Sequence, residues 1–343
     1  MSETPSNSEK RSGELEKGSE TEPILKVNEL EIKTELPSEA EKPEDKERQI
    51  GRLKDQVEKI INEEQLSEVR EENPEVREEK VKEYQKHYLP DYLRREKGAV
   101  SKAITDLYTM TGGKFEKEGE ENIPESGPFI VICNHFGGGD VQALFKTFKS
   151  VDLHFAVAKE MWWNSSTIAR WFLKKLRIIP VEESLSNISE KEKEEALNRQ
   201  GGHGKAVFRR IIDREKQGKA ATNIEFVRQA VAVLSRGEAM GIFPEGLWLN
   251  PKNGREKKEM KQGYRGVELI AEQYKKLTDE ELPIVPTAFI EDDKTGERKI
   301  IIGKPLKLSG NDCNLNGTDW CMEHVAEMLP EQQRGYYKNK VEK

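Results

Sequence analysis

The sequence has few cysteines and no long hydrophobic run. Its three cysteines, Cys133, Cys313 and Cys321, are odd in number and lack the spacing of a metal site, which argues against a disulfide framework. No apolar stretch approaches the roughly 20 residues that a membrane-spanning helix requires. The N-terminus also lacks the apolar segment of a secretion signal. We therefore expect a cytoplasmic protein that does not cross the membrane.

Aromatic residues are scarce at 7%, whereas 35% of the 343 residues are charged and the mean hydropathy is -0.83. A chain of this polarity cannot bury its whole length, although it is long enough for one large domain or two small ones. The formal net charge of -7 offers no general attraction for nucleic acid, which requires a basic face. We therefore expect no nucleic-acid partner.

The N-terminal part of the chain divides into two polar segments. Residues 1–46 are rich in Glu, Lys, Ser and Pro, a composition typical of a disordered tail. Residues 47–95 form a charged extension in which apolar residues recur at helical spacing for barely two heptads. This pattern leaves two alternatives open: a helical hairpin or short coiled coil around Pro74 that binds a protein partner, or a solvated charged helix.

Short apolar runs alternate with helical patterns beyond Tyr88. The runs predicted as strands are 129–133, 153–158, 177–181, 239–243, 284–290 and 299–303, and the predicted helices are 141–148, 165–176, 222–235, 264–276 and 318–329. The alternation predicts an α/β domain at 96–343 whose mostly parallel sheet is flanked by helices. A polar insertion at about 182–225 interrupts it. The GGHGKA stretch in this insertion lacks residues that a phosphate-binding loop requires.

The stretch VICNHFGGGD (131–140) carries the clearest chemical pattern. His135 follows a predicted buried strand, so it should lie at the carboxyl end of the sheet, where ligands bind in open α/β folds. Asp140 comes five positions later, at the start of the next helix. A carboxylate held on one imidazole nitrogen fixes the tautomer and makes the other nitrogen a better base. We predict that His135 and Asp140 act together to deprotonate a hydroxyl group.

The run GEENIPESGPFIVICNHFGGGD (119–140) resembles the first signature block of the glycerolipid acyltransferases of the 1-acylglycerol-3-phosphate acyltransferase type. The later blocks follow in the family's order: AKEM (158–161), LKKLRIIPV (173–181), GIFPEG (241–246), a K-x-G step at Lys261 and Gly263, LPIVPTAFI (282–290) and GKP (303–305). The resemblance covers about residues 114–308. It implies the α/β fold of that family.

The resemblance also implies a reaction. A fatty acyl group would pass from acyl-CoA or acyl carrier protein to a glycerolipid hydroxyl, such as that of 1-acylglycerol 3-phosphate, in phospholipid biosynthesis or remodelling. His135 would be the general base and Asp140 its orienting partner. The implied substrate-binding residues are Arg177, Phe243, Pro244, Glu245, Gly246, Lys261 and Gly263. A thioester is already activated, so we expect no cofactor and no metal.

Two departures from the family pattern concern the acceptor. The second block usually has glycine in place of Arg177 and a basic residue after Pro-Val, where this chain has Glu182 and Glu183; Leu247 and Trp248 follow Gly246 in place of Thr-Arg. Guanidinium groups suit phosphate well. Either other cations substitute, or the acceptor has no phosphate at that position. The candidate substitutes are Lys174, Lys175, Arg177, Lys261 and Arg265.

The stretch MWWNSSTIARWFLKKL (161–176) places tryptophans beside basic residues. This combination favours the headgroup region of a membrane, although aromatic stripes also occur on helices packed against a sheet. We expect peripheral association with the cytoplasmic face of a membrane. The alternative function is a catalytically weak acyltransferase fold that binds lipid or serves as a scaffold. An unrelated hydrolase would require a G-x-S-x-G elbow, and the sequence contains none.

Overall fold

The computed structural model describes residues 74–94, 97–110, 113–136, 139–159, 166–182, 190–199, 202–216, 223–246, 259–292, 295–310 and 316–341. These residues belong to one compact unit. The predicted tail at 1–46 lies outside them, as does the extension up to residue 73. The proposed division of the chain into three parts stays a prediction.

The elements alternate as the apolar runs predict. The strands are β1 (Glu116–Glu118), β2 (Phe129–Cys133), β3 (Leu153–Ala158), β4 (Ile178–Val181), β5 (Ala239–Ile242), β6 (Ile284–Glu291) and β7 (Arg298–Ile302). The helices are α1 (Pro74–Tyr88), α2 (Ala99–Met110), α3 (Asp140–Thr147), α4 (Thr167–Lys175), α5 (Glu190–Arg199), α6 (Gly202–Lys216), α7 (Ile224–Leu234), α8 (Gly266–Thr278), α9 (Gly317–Glu327) and α10 (Lys338–Val341). Helices α5 and α6 lie within the polar insertion and, like β1, α2 and α10, have no counterpart among the strands and helices predicted from the sequence.

The sheet has the strand order β1-β7-β6-β2-β5-β3-β4. Strands β6, β2, β5, β3 and β4 are mutually parallel. Strand β7 pairs antiparallel with β6, as expected for two strands joined by a short turn, and β1 pairs parallel with β7. The predicted α/β fold with a mostly parallel sheet is therefore confirmed.

Both faces of the sheet are covered by helices. Successive residues of a strand point to opposite faces, and β2 is buried throughout, so Ile130 and Ile132 pack into one hydrophobic cluster whereas Phe129, Val131 and Cys133 pack into another. Helices α1, α7, α8 and α9 contribute to the first cluster, and α2, α3 and α4 to the second. This double burial explains why β2 is a continuous apolar run.

Helix α1 packs against the domain, although its sequence is strongly charged. It has no fully buried residue, but the turn that follows it buries Leu89 and Leu93 in the same cluster as the sheet. Tyr92 Oη then donates to the carbonyl of Ile178 at 2.8 Å, beside β4. The described part of this segment is thus a helix that packs on one side and is solvated on the other. The helical hairpin or short coiled coil around Pro74 involves residues outside the described ones and stays a prediction.

Candidate active site

The first and third signature blocks meet at the carboxyl edge of the sheet. Strands β2 and β5 are neighbours, with Ile132 paired to Ile242. Parallel strands end at the same edge, so the loop that begins at Asn134 lies beside the turn that begins at Phe243. The sequence predicts a site at this edge, and the structure brings His135, Asp140, Phe243 and Glu245 together there.

His135 and Asp140 form a hydrogen-bonded pair. Nδ1 of His135 lies 3.0 Å from Oδ2 of Asp140, and the same oxygen accepts the backbone N–H of Phe136 at 2.7 Å. Asp140 begins α3 and is buried, whereas the His135 side chain is 17% exposed. A carboxylate accepts only, so Nδ1 carries the proton and Nε2 of neutral His135 is the basic nitrogen. The pair therefore has the arrangement of a general base and its orienting partner.

A stack of rings supports the imidazole. The His135 ring stacks on Phe243 with 4.2 Å between centroids and an interplanar angle of 18°. Phe243 in turn stacks on Phe155 at 6.0 Å. A Cβ at residue 241 would overlap the Phe155 ring, so only Gly241 lets this ring cross β5. Phe243 thus contacts the imidazole of His135 and supports its orientation.

Asn134 connects the histidine loop to β6. Its side-chain amide donates to the carbonyl of Phe289 and accepts the N–H of Phe289, both at 2.8 Å and fully buried. This two-point contact holds the backbone next to His135 against the fourth signature block. The asparagine before the histidine in the first block therefore has a structural role, which is to fix this loop against β6.

Glu245 connects the histidine loop to another segment. Its Oε1 accepts the backbone N–H of His135 at 3.2 Å, and its Oε2 accepts the backbone N–H of Lys261 at 2.7 Å. Burial raises the pKa of the Glu245 carboxyl to about 8, although these two N–H groups act in the opposite direction. The structure thus gives Glu245 a supporting position, and its predicted contact with the acceptor stays a prediction.

The turn after β5 and the K-x-G step are also in contact. Gly246 has a φ of 78°, a value that favours glycine, and its N–H donates to the carbonyl of Phe243 at 3.1 Å. Pro244 accepts the N–H of Tyr264 at 2.8 Å. A Cβ at Gly263 would lie 3.3 Å from Cβ of Pro244, so this glycine permits the close approach. The Lys261 side chain is exposed beside them.

The model of the Acyltransferase family matches residues 114–290. The chain belongs to the acyltransferase family. A 1-acyl-sn-glycerol-3-phosphate acyltransferase of Bacillus subtilis (strain 168) is 26% identical over 213 residues, which cover 60% of this chain and 79% of that protein. The resemblance drawn from the signature blocks is confirmed, and the protein is an acyltransferase enzyme.

A crystal structure of the 1-acyl-sn-glycerophosphate (LPA) acyltransferase PlsC from Thermotoga maritima was also found. It shares 15% sequence identity with this acyltransferase, and the match covers 75% of this chain and 82% of that chain with a TM-score of 0.37.

The structure does not bring Arg177 to the active site of the acyltransferase. This residue precedes β4, so it lies at the opposite edge of the sheet from His135. Its Nη2 donates to both carboxylate oxygens of Glu238 at 3.0 and 3.1 Å, and its Nε lies 3.3 Å from Nε2 of His154, which is itself 2.8 Å from Oε2 of Glu238. The prediction that Arg177 binds substrate is corrected: Arg177 belongs to a buried ion cluster. Its φ of 59° also explains why the family usually has glycine here.

An ion pair lies at the carboxyl edge where the second block ends. Nζ of Lys159, which follows β3, is 2.9 Å from Oε1 of Glu182, which follows β4. Asn223 holds the backbone of Glu182 through two hydrogen bonds of 2.9 and 3.0 Å. Glu182 is thus paired with a cation at the position where the family usually has a basic residue. Glu183, Leu247 and Trp248 lie outside the described residues.

The two cysteines that the structure describes are poor candidates for a catalytic nucleophile in this acyltransferase. Burial raises the pKa of the Cys133 thiol well above its ordinary value and that of Cys321 to about 12, so their thiolates are disfavoured. Within the described ranges, no group of three or more His, Cys, Asp or Glu side chains is arranged to hold a metal. The predicted lack of a metal and of a cofactor stays a prediction.

Two residues near the site carry no sequence signal. Tyr337 accepts the N–H of Gly263 at 2.8 Å from beyond the last signature block. Arg298 begins β7 and packs against the start of α3, where a Cβ at Gly139 would lie 3.3 Å from its Nη1. Both contacts join segments that are far apart in sequence, so no local motif marks them.

Proposed function

We propose that this acyltransferase transfers a fatty acyl group from a thioester to a hydroxyl of a glycerolipid such as 1-acylglycerol 3-phosphate, at a membrane surface. The observation that carries the proposal is the 3.0 Å contact between His135 Nδ1 and Asp140 Oδ2 at the carboxyl edge of the sheet. The name of the Bacillus subtilis relative supports the acceptor class. A role in phospholipid biosynthesis or remodelling follows from that acceptor.

The pair supports a direct transfer. Nε2 of His135 takes the proton of the acceptor hydroxyl while the hydroxyl oxygen attacks the thioester carbonyl. The tetrahedral intermediate then collapses to the ester, and the departing thiolate takes the proton from the imidazolium. Asp140 stabilises that imidazolium through Nδ1. A positioned base accelerates the reaction by about 10²- to 10⁴-fold. Binding of both substrates at one edge of the sheet adds a further rate enhancement, because it brings the hydroxyl and the thioester together.

The donor is acyl-CoA or acyl carrier protein, because both present the same thioester to the base. The acceptor is a glycerolipid whose head group lies near the ends of β3, β4 and β5. The Lys159–Glu182 pair lies at this edge. Lys261 comes after β5 in the chain, and its side chain is exposed. Lys261 is therefore the cation that we propose for an acceptor phosphate, in place of the missing basic residues of the second and third blocks.

Helices α2 and α4 support membrane association. They pack together through Tyr108 and Phe172, whose rings meet edge to face at 6.1 Å. Their outer surfaces expose Val100, Leu107, Met110, Ile168 and Trp171. Trp171 is 49% exposed and has Lys175 Nζ 5.9 Å from its ring centroid. Exposed apolar side chains that have basic residues beside them favour binding to the headgroup region of a membrane. Trp162 and Trp163 lie outside the described residues.

Of the described helices, none combines the length and the apolar character that a membrane span requires. We propose that the exposed apolar side chains of α2 and α4 make the contact with the membrane, at its cytoplasmic face.

A transfer assay tests the proposed function. Labelled palmitoyl-CoA and palmitoyl acyl carrier protein would each be incubated with glycerol 3-phosphate, 1-acylglycerol 3-phosphate, other lysophospholipids or monoacylglycerol. We expect labelled product with at least one lysophospholipid, and a Lys261→Ala variant should raise KM only for acceptors with a terminal phosphate. Lack of product with every pair, from folded protein that binds liposomes, would favour the lipid-binding scaffold instead.

A further inference from the structure

A segment beyond the family-matched region is bonded to the active site. The 3₁₀ turn Gly335–Tyr337 follows the signature blocks and lies beside the segment that contains the K-x-G step. The N–H of Tyr336 donates to the carbonyl of Met260 at 2.9 Å, and the N–H of Met260 donates to the carbonyl of Gln333 at 3.0 Å. Gly335 has a φ of 48° and lies so close to Met260 that a Cβ would overlap its backbone. The two segments are therefore tightly joined.

The hydroxyl of Tyr337 is the polar centre of this junction. It donates to Oδ1 of Asp319 at 2.6 Å and accepts the N–H of Gly263 at 2.8 Å, and the Tyr337 side chain is fully buried. Oδ2 of Asp319 accepts from the side chain of Gln262 at 3.0 Å. One tyrosine and one aspartate thus hold two consecutive residues, Gln262 and Gly263, of the active-site segment.

We propose that Tyr337 is a positioning residue for His135, acting through Glu245. Its hydroxyl holds Gly263. The N–H of Lys261, two residues earlier, holds one oxygen of Glu245, and the other oxygen of Glu245 holds the N–H of His135. If Gly263 moves, Lys261 moves with it and Glu245 loses its second anchor. The loop that carries the base then loses a buried contact on the side facing β5.

The chemistry at each step explains why the hydroxyl matters. The Gly263 N–H is buried and has Tyr337 Oη as its acceptor. Removing that acceptor leaves a buried donor unsatisfied, which is more costly than the loss of an ordinary hydrogen bond. Phenylalanine at this position would keep the ring and its packing. The Tyr337→Phe substitution therefore separates the proposed positioning role from simple filling of the core.

The adjacent tyrosine provides a matched control. Tyr336 is 45% exposed, and its ring lies 5.0 Å from that of Tyr337. We expect Tyr337→Phe to lower kcat about tenfold with little change in the KM for the acyl donor, and Tyr336→Phe to leave kcat within twofold of wild type. An unchanged kcat in Tyr337→Phe would overturn the proposal.

A double-mutant cycle tests the route through Glu245. If Tyr337 acts through Glu245, Tyr337→Phe will lower kcat by less in a Glu245→Gln background than in wild type. Equal fold losses in both backgrounds would mean that Tyr337 affects the enzyme independently, and they would overturn the proposal. A merely structural role would move the melting temperature without producing this coupling.

Hydrogen exchange provides a readout without catalysis. The kinetic tests rest on the proposed function, whereas amide exchange does not. In Tyr337→Phe we expect faster exchange in peptides that cover 259–264 and also in those that cover 134–136, relative to Tyr336→Phe. Faster exchange confined to 330–341 would contradict the proposal even if wild type showed no transfer activity. An inactive wild type with the expected exchange pattern would overturn the proposed function alone.

Discussion

Oδ2 of Asp140 lies 3.0 Å from Nδ1 of His135 and also accepts the N–H of Phe136, the residue that follows His135. One carboxylate oxygen therefore orients the imidazole and closes the loop that carries it. Asp140 begins α3, so its side chain lies at the helix N-terminus, which carries partial positive charge.

The Asp140→Asn substitution tests this double contact. A carboxamide carries no charge: with its oxygen kept on the Phe136 N–H it stabilises the imidazolium only weakly, and with its NH₂ group turned toward Nδ1 it loses the Phe136 N–H and places the proton on Nε2. We expect kcat to fall about 10²- to 10³-fold. The control is Asp91→Asn, because Asp91 is exposed in the turn after α1. A kcat within threefold of wild type in Asp140→Asn would show that Asp140 does not orient the base.

Glu245→Gln tests the anchor between the two loops. A glutamine has one acceptor oxygen, so one of the two backbone N–H groups loses its partner, and we expect kcat to fall about tenfold. The stability effect depends on pH. Burial raises the pKa of Glu245 to about 8 from 4.5, so the native state binds this proton more tightly than the unfolded state. The contribution of Glu245 to stability is thus greatest below pH 4.5 and declines as pH rises to about 8.

The check is urea unfolding of wild type and Glu245→Gln at pH 5 and pH 8. Relative to the variant, wild type should lose stability between these two values. If the free energies of unfolding of the two proteins change in parallel with pH, the Glu245 carboxyl does not titrate in this range.

The Glu238→Gln substitution tests the ion cluster at the opposite edge of the sheet, which consists of His154, Arg177, Arg236 and Glu238. Burial disfavours its charge, but the hydrogen bond with His154 and the charges of His154, Arg177 and Arg236 outweigh burial and lower its pKa from 4.5 to about 2. Its contribution to stability is therefore present above pH 4.5 and is lost as pH falls toward 2. We expect Glu238→Gln to be less stable than wild type by about 3 kcal/mol at pH 7, where it leaves buried guanidinium groups without their carboxylate.

Urea unfolding of Glu238→Gln and wild type at pH 7, 4 and 3 measures this loss. The difference in the free energy of unfolding should shrink as pH falls. Because the cluster is at the other edge from His135, folded Glu238→Gln should retain the wild-type kcat at pH 7. A loss of kcat without a loss of stability would contradict this and would mean that Arg177 and its partners contribute to activity.

The exposed apolar face of α2 and α4 gives a prediction about lipid. Ile168 is 79% and Trp171 is 49% exposed. We expect Ile168→Ser with Trp171→Ser to weaken binding to anionic liposomes at least about tenfold, because burying such side chains is favourable by about 1.5–3 kcal/mol each. Val76→Ser on α1 is the control, since Val76 is exposed on a different helix. Equal liposome binding by the two variants would place the lipid contact elsewhere.

The sequence was sufficient for six of the seven strands and for the His135–Asp140 pair because both depend on local pattern, whereas the edge strand β1 consists of charged residues and has no apolar pattern. A buried parallel strand is a continuous apolar run, and the residues that follow it must lie at the carboxyl edge. His135 and Asp140 are five positions apart, so one loop brings them into contact. Strand β4 begins one residue later than predicted because the positive φ of Arg177 interrupts the extended backbone.

Other features depended on contacts that only the folded chain makes. Glu245 binds a backbone N–H that is 110 positions away, and Arg177 binds a carboxylate that is 61 positions away. The guanidinium of Arg177 lies within a signature block and therefore suggests a phosphate ligand, but its partner in the structure is Glu238, a partly buried glutamate at the other edge of the sheet. Tyr337 belongs to no signature block, and no sequence pattern distinguishes it from the other residues of the hydrophobic core.

The most direct test of the account is the rate of acyl transfer by wild type and His135→Ala, measured with the acceptor that wild type prefers. His87→Ala is the control, because His87 is exposed on α1. We expect His135→Ala to lose at least about 10²-fold in kcat while it stays folded and binds liposomes, and His87→Ala to match wild type. Transfer by His135→Ala at a rate near that of wild type would contradict the claim that His135 is the base.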